Sequence, residues 1–314
     1  MDAVIIGIDV AKEKLDVAIR PSGDCFVVAR SSAGIDGLIA RLGQLRVSVV
    51  GLEATGGYET VVAASLSAAG LPVVIVNPAQ VRAFAKALGQ RAKTDAIDAT
   101  VIAHFVEAAK PVVRPLPDDA ARQLSGLVGR RSQILAMMVA EQQRKKHSPN
   151  KRLLASIERL LKALQRELSD LDAQIREAVR ASALWREKDR LLETVPGVGP
   201  VIAARLIAEM PELGKLDRRE IAALAGLAPW TRCSGKWKGK SFIGGGRAGV
   251  RGALFMGAMV AMQHNPVLKV FYERLIAAGK LKMVALIAVA RKLLTILNAM
   301  LRDSKPWIME ETHA

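Results

Sequence analysis

The stretch Lys93-Thr-Asp-Ala-Ile-Asp-Ala99 sets Asp95 and Asp98 three residues apart at the start of a helical pattern, so the two carboxylates share a helix face. Two further acids stand inside apolar runs, Asp9 in "GIDVA" and Glu53 in "GLEATGG". Taken alone, Asp95 and Asp98 are explained by the helix dipole, which favours acids in a first turn by about 0.3–1 kcal/mol. Asp9 reads as well as a strand terminator and Glu53 as a helix cap, and Glu13, Asp16, Asp24 and Asp36 show that acids are common here. The balance shifts because a carboxylate buried at a strand end without a partner is costly. Four carboxylates drawn to one point raise one another's pKa or demand a cation. Hard divalent ions, Mg2+ or Mn2+, resolve that conflict. Two such ions about 4 Å apart can hold the attacking and leaving oxygens of a phosphodiester. The chemistry expected of Asp9, Glu53, Asp95 and Asp98 is phosphoryl transfer on nucleic acid.

The elements that must position these acids follow from periodicity and turn residues. "AVIIGIDVA", "KLDVAIR" and "CFVVARS" read as three strands in a meander, the first two joined at Lys12-Glu13 and the next pair at "PSGD". A helix "IDGLIARLGQL", a strand "VSVVGLEA", a helix "YETVVAASLSAAG" and a strand "LPVVIVNP" follow. Helices around "AQVRAFAKALGQ" and "TDAIDATVIAHFVEAA" close the segment. This order with a mixed sheet matches the ribonuclease H-like fold, in which the strands carrying Asp9 and Glu53 are neighbours. The fold class expected is α/β followed by an all-α part.

The chain has 314 residues, half of them apolar, enough for two domains with substantial cores. Its net charge of +16 points first to a polyanionic partner. That charge is uneven: 11 basic residues balance 11 acidic ones over 1–110, whereas 194–314 carries 18 basic against 8 acidic. The C-terminal part should therefore do most of the gripping. Two cysteines, Cys25 and Cys233, exclude a disulfide framework or a cysteine-rich zinc module and suit a reducing cytoplasm. The start of the chain does not read as a signal peptide. "ALFMGAMVAM" is short for a bilayer and "MVALIAVARKLLTIL" is interrupted by Arg291-Lys292, so no membrane insertion is expected.

Pro111, Pro115 and Pro117 mark a linker, after which long helices take over. Ile157, Leu161, Leu164, Leu168, Leu171 and Ile175 step by 4, 3, 4, 3 and 4, the spacing of a coiled-coil seam. A helix from about Ala120 to Lys146, joined through "HSPN", can pair with it within one chain, or the seam can join two chains. From Thr194, "VPGVGPVIAARLIAE" has the character of a helix-hairpin-helix. Gly197 and Gly199 in that turn would let backbone N–H groups approach a phosphate ahead of a helix N-terminus. The same pattern also serves as a plain turn. The basic, Gly-rich loop "WTRCSGKWKGKSFIGGGRAGVR" supplies Arg232, Lys236, Lys238, Lys240, Arg247 and Arg251 for phosphates, and Trp230 and Trp237 as flat faces for bases or sugars.

The blocks "GIDVAKEKLDVA", "GLEATGGYE", "VNPAQVRAFAKALGQRAKTDAIDA", "VPGVGP", "LAGLAPW" and "SGKWKGKSFIGGGRAGVRGALFMGA", in that order, resemble the DEDD transposases of insertion-sequence family 110. The resemblance runs from the first strand to about Trp307. It implies a RuvC-type, ribonuclease H-like catalytic domain over 1–112, a helical coiled-coil region over 113–193, and a C-terminal transposase domain with the helix-hairpin-helix over 194–314. It implies an acidic tetrad of Asp9, Glu53, Asp95 and Asp98 for two-ion Mg2+ or Mn2+ chemistry, and a serine nucleophile, Ser234 in "CSGK". It also implies donor and target DNA, a structured bridge RNA as guide, and assembly as a homodimer or homotetramer, with the acids of one protomer meeting the serine of another. From the residues alone Ser234 is not singled out, since Thr231, Cys233 and Ser241 share its loop and a serine in a Gly/Lys loop is usually a solvated turn residue.

Three other functions compete. A metal-dependent nuclease resolving branched DNA would use the acids without a covalent intermediate. An actin-like kinase would use "GIDVA" and "GLEATGG" as phosphate loops, but gives no reason for the basic C-terminal part. A non-enzymatic nucleic-acid binder would need only the helix-hairpin-helix.

Overall fold

β1 (Val4–Val10), β2 (Lys14–Arg20) and β3 (Cys25–Ala29) form the antiparallel meander that the short polar turns require. α1 (Ser32–Gly43) then carries the chain across to β4 (Val47–Glu53), which lies parallel to β1, and α2 (Glu59–Ala68) carries it to β5 (Val73–Val76), parallel to β4. The resulting sheet has the order β3-β2-β1-β4-β5. α3 (Pro78–Ala87), capped by the Asn77 side chain, and α4 (Asp95–Ala109) complete this unit, which ends at Pro117. The structure is a computed structural model that describes residues 3–54, 56–90, 95–148, 150–231, 233–235 and 237–308, with the backbone alone at 95, 96, 233, 237 and 238.

Alternation along the strands sorts the unit into three layers. Ile6, Ile8, Leu15, Val17, Val50 and Leu52 face α1 and α2, where Leu38, Leu42, Val62 and Leu66 complete one core. On the opposite face Ile5, Val49 and Val74 meet Val81 of α3 and Val101, Ile102 and Val106 of α4. Both edges of the site, the strand ends and α4, are therefore anchored in apolar packing.

The second unit, Asp118–Ala314, is helical. α5 (Asp119–His147) and α6 (Lys151–Ala181) pair as a hairpin, with Leu164, Leu168 and Leu171 of the seam buried beside Ile134 and Met138 of α5. Arg131–Asp172 and Lys145–Glu158 ion pairs tie the two helices. This much of the seam packs within one chain. Ser182 ends α6 and its hydroxyl caps α7 (Ala183–Glu193), a separate helix that the seam spacing does not foretell. α8 (Pro200–Glu209), α9 (Arg218–Leu224), α10 (Ala248–His264), α11 (Pro266–Ala277) and α12 (Lys282–Asp303) follow. Leu124, Val128, Ile175 and Val179 of the hairpin share one core with Leu254, Ala258, Leu293 and Leu297 of these helices.

α12 contains the apolar run that Arg291-Lys292 interrupts. Despite Arg291-Lys292, its 22 residues are long and apolar enough to cross a bilayer by length and composition. In the fold, Ala285, Val289, Leu293, Leu294 and Leu297 of α12 are fully buried, which is what a central core helix needs.

Candidate active site

β1 and β4 run parallel with Ile8 beside Leu52, so the next residues, Asp9 and Glu53, sit side by side at the carboxyl ends of neighbouring strands, about 4.8 Å apart along the sheet. Two residues earlier on the same face stand Gly7 and Gly51, themselves a pair. A methyl group on Gly7 would collide with the Ala99 carbonyl and the Ala103 amide of α4, and one on Gly51 would lie 2.5 Å from Val106 Cγ2. Bare backbone at these two positions lets α4 rest directly on the sheet. Ala18 and Cys25 extend the row of small residues, and Cys25 Sγ lies 3.6 Å from Thr100 Oγ1.

The direction of α4 decides what this approach achieves. At the far end of β1, Arg20, the partner of Ile5, donates from Nε to Glu107 Oε2 at 2.7 Å. The C-terminal turn of α4 therefore lies at the start of β1, and its N-terminal turn lies where β1 and β4 end. Asp98 in that turn lines a small cavity of about 20 Å³ together with Glu53. Asp95 begins α4, but its side chain lies outside the described part, as do Lys93 and Thr94. Arg82 of α3 lines the same cavity and brings a cation beside the two acids.

Asp16 emerges from the structure as a further acid of this edge. It pairs with Asp9 across the β1–β2 hairpin, which places both side chains on the α4 face. Only 5% of it is exposed, and its Oδ2 makes no hydrogen bond; Lys14 Nζ lies 3.1 Å away, a charge contact without hydrogen-bond alignment. The signal was available in the sequence, because folding the chain about Lys12-Glu13 sets residue 16 opposite residue 9. Among the described residues, no three His, Cys, Asp or Glu side chains already surround one point, a comparison that leaves Asp95 out. The acids at this edge nonetheless offer carboxylate oxygens, one of them buried without a hydrogen bond, beside Gln90 and Arg82, and such oxygens suit a hard divalent cation.

In the second unit the basic loop is a β-hairpin rather than an irregular segment. Trp230 and Phe242 exchange backbone hydrogen bonds of 2.7 and 3.2 Å at its base. Above them β6 (Cys233–Ser234) pairs with β7 (Trp237–Lys238), Ser234 opposite Trp237. Ser234 is exposed at the last pair before a turn that opens with Gly235 at φ +56°. Thr231 and Ser241 hydroxyls lie 3.4 Å apart across the hairpin. Trp230 is 65% exposed, as a nucleic-acid face requires, and Lys240 is exposed. Arg232 and Lys236, and the side chains of Cys233, Trp237 and Lys238, lie outside the described part.

Three of the expected phosphate contacts are engaged within the protein. Arg247 donates to both Glu212 oxygens, at 2.5 and 2.7 Å, so its charge is matched internally. Arg251 donates to the Gly245 carbonyl at 2.6 Å and anchors the Gly-rich segment. A Cβ on Gly197 would stand 2.7 Å from the Gly257 carbonyl of α10, so this glycine is explained by helix packing rather than by phosphate approach. Gly199, exposed and preceding α8, keeps an open surface. Glu212, 35 residues from Arg247, and Gly257, 60 residues from Gly197, carry no local sequence signal, which is why Arg247 reads as a free cation and Gly197 as a free turn.

Comparison with known proteins finds two family models along the chain, the first of which runs through the first unit and on to the end of α5. Residues 6–148 match a family model described as Transposase, of the DEDD type of IS110. Residues 189–273 match a second, the Transposase IS116/IS110/IS902 family. The pilin gene-inverting protein of Moraxella bovis is 28% identical over 317 residues, covering 98% of both chains. An uncharacterized 44.8 kDa protein of insertion element IS116 from Streptomyces clavuligerus is 32% identical over 157 residues, 49% of this chain and 38% of that protein. An IS110 protein of Streptomyces coelicolor is 32% identical over 153 residues. With an RNase H-like unit carrying acids at its strand ends, followed by a helical unit, the chain belongs to the IS110 family of insertion-element transposases and is an enzyme of DNA recombination.

Proposed function

We propose that this transposase cleaves and exchanges DNA strands with two half-sites, the acids Asp9, Glu53, Asp95 and Asp98 on the first unit and the Ser234 hydroxyl on the hairpin of the second. The observation that carries the reading is the seating of α4 on Gly7 and Gly51, which brings Asp98 to a cavity shared with Glu53 at the end of β4, the strand beside the one that carries Asp9. Divalent ions held by these carboxylates, Mg2+ or Mn2+ and by this reading two of them, would screen phosphate charge and polarise the scissile bond. The chain's own residues bind, orient and attack. Ser234 Oγ forms a bond to the phosphorus as the bond from phosphorus to the departing sugar oxygen breaks, and the hydroxyl proton is carried by water to that departing oxygen. The phosphodiester energy is kept in the serine ester, so a second sugar hydroxyl can reverse the step on another strand. None of the four histidines lies in the hairpin sequence, which carries Lys, Arg, Ser, Thr, Cys and Trp.

The name of the Moraxella bovis relative, an inverting protein, supports strand exchange over cleavage alone. A structured bridge RNA as guide and a homodimer or homotetramer in which one protomer's acids meet another's serine belong to the same proposal. So do a coiled-coil role for α5–α6, a helix-hairpin-helix role for α7–α8 and the three-part division of the chain at 112 and 193. The test is purification of the protein from its host with sequencing of bound RNA, followed by strand exchange between DNA duplexes matched to that RNA. A single structured RNA and exchange abolished by Asp98→Asn are expected. Random RNA, or exchange that survives Asp98→Asn, refutes the proposal.

A further inference from the structure

Between α9 and α12 lies a cleft of about 410 Å³ that none of the expected site residues lines. Arg218 and Arg219 line it from the first turn of α9, and Arg291 and Lys292 from the middle of α12. No carboxylate lines it among the described residues. The nearest acid in sequence, Asp217, accepts from the Arg219 and Glu220 amides at 2.6 and 2.8 Å, and Glu220 accepts from the Asp217 amide at 3.0 Å, so both are turned to capping α9. Phe271 of α11 also lines the cleft, half-buried against the core, with the Arg274 guanidinium 5.3 Å from its ring centre. Like charges gathered on a folded surface repel one another, and the helices bring two pairs of them to one cleft, with Asp217 acting on Arg218 and Arg219 from outside its lining.

We infer that this cleft seats the sugar-phosphate backbone of a nucleic acid, with Arg218, Arg219, Arg291 and Lys292 as its phosphate contacts. The inference rests on the proposed function for the existence of a nucleic-acid partner and adds where it is gripped. A run of cations along an open cleft fits a polymer with regularly spaced charges better than a single buried anion. The one aromatic ring is committed to Arg274 and the core, so the cleft offers no free face for stacking bases. The grip is therefore independent of base sequence, and it is separate from the hairpin that carries Ser234.

The test uses the full-length protein and three paired variants: Arg291→Ala with Lys292→Ala, Arg218→Ala with Arg219→Ala, and a control, Lys151→Ala with Arg152→Ala, on exposed positions of α6. Fluorescence anisotropy across a salt series, with a duplex DNA and separately with a structured RNA, reads the slope of log K against log salt. Each duplex phosphate contact contributes about 0.9 to that slope. Each cleft pair is expected to flatten the slope by about 1.5–2 and to weaken binding at least tenfold at low salt, for whichever nucleic acid occupies the cleft. The control pair leaves the slope unchanged, thermal melting is unaltered, and Arg291→Lys retains the slope. The DNA and RNA arms identify the occupant. Unchanged slopes for both, with the wild type binding normally, or an equal effect of the control pair, overturn the cleft and leave the proposed function standing. Failure of the wild type to bind either nucleic acid overturns the proposed function itself.

Discussion

Replacing Gly7 by alanine puts the seating of α4 to a direct test. The added methyl group meets backbone atoms of α4, the Ala99 carbonyl and the Ala103 amide, and helix backbone cannot turn aside as a side chain can. The helix must lift from the sheet by roughly an ångström, since a methyl group in contact needs about 3.4 Å or more from an oxygen. Overpacking of this kind costs about 1–3 kcal/mol. The N-terminal turn of α4, which carries Asp95 and Asp98, moves with it, and a shift of that size at a reacting centre costs on the order of 100-fold in rate. Gly51→Ala is the internal contrast, because its methyl group meets Val106 Cγ2 and Ile102 Cγ2, side-chain methyl groups rather than the helix backbone itself. We expect Gly7→Ala to lower the midpoint of thermal unfolding by several degrees and strand cleavage by about two orders of magnitude, and Gly51→Ala to do markedly less of both. Melting followed by circular dichroism, with cleavage measured on a DNA duplex in Mg2+, reads the two effects. A Gly7→Ala protein with wild-type melting and cleavage would refute the view that α4 is held on bare backbone to position the acids.

Three further outcomes follow from individual contacts. Arg247→Ala leaves Glu212 without its two-pronged partner in a partly buried site and is expected to cost about 1–2 kcal/mol in chemical denaturation, with little change in the salt dependence of nucleic-acid binding. Were Arg247 a phosphate contact instead, the order of these effects would be reversed. Asp189 has its carboxyl pushed up to about 6, first by burial and then by Glu193. Its folded value lies above the unfolded one, so the fold favours the neutral acid, and the contribution present below pH 4 is lost as pH rises from about 4 to 6. Asp189→Asn is then expected to stabilise the protein by roughly 1 kcal/mol at pH 7.5, a figure reduced for its partial exposure, and by almost nothing at pH 4. A pH-independent difference in melting would contradict that assignment. Asp217→Ala removes the capping box of α9 and is expected to cost about 1 kcal/mol in thermal or denaturant unfolding. Equal stability of the two proteins would contradict that role for the cap.

Much of the first unit was legible in the sequence because its contacts are short-range or repetitive. The meander turns at Lys12-Glu13 and Pro21–Asp24 fix the β1–β3 pairing, and alternation fixes which face is apolar. The convergence of Asp9, Glu53 and the start of α4 needed the parallel order β1-β4, which the element sequence suggests. What stayed hidden was decided by distant partners. Gly7 and Gly51 read as ordinary strand glycines until α4 is laid on them, and Asp16 read as one acid among many until its pairing with Asp9 and its burial were visible. In the second unit, the Trp230–Phe242 bridge made a hairpin of a loop whose glycines and lysines suggested irregular chain. The packing of Gly197 on α10 and of Arg247 on Glu212 removed two expected phosphate contacts for the same reason.

The account stands most directly on the identity of the attacking group. Full-length protein, with its co-purified RNA and matched DNA in Mg2+, can be stopped in denaturant in mid-reaction and the product digested for mass mapping. A DNA strand joined covalently to the peptide containing Ser234 is predicted, absent in Ser234→Ala and absent in Asp9→Asn. Cleavage and exchange at wild-type rates by Ser234→Ala, with no covalent product in either protein, would contradict it and assign the chemistry to the acids alone.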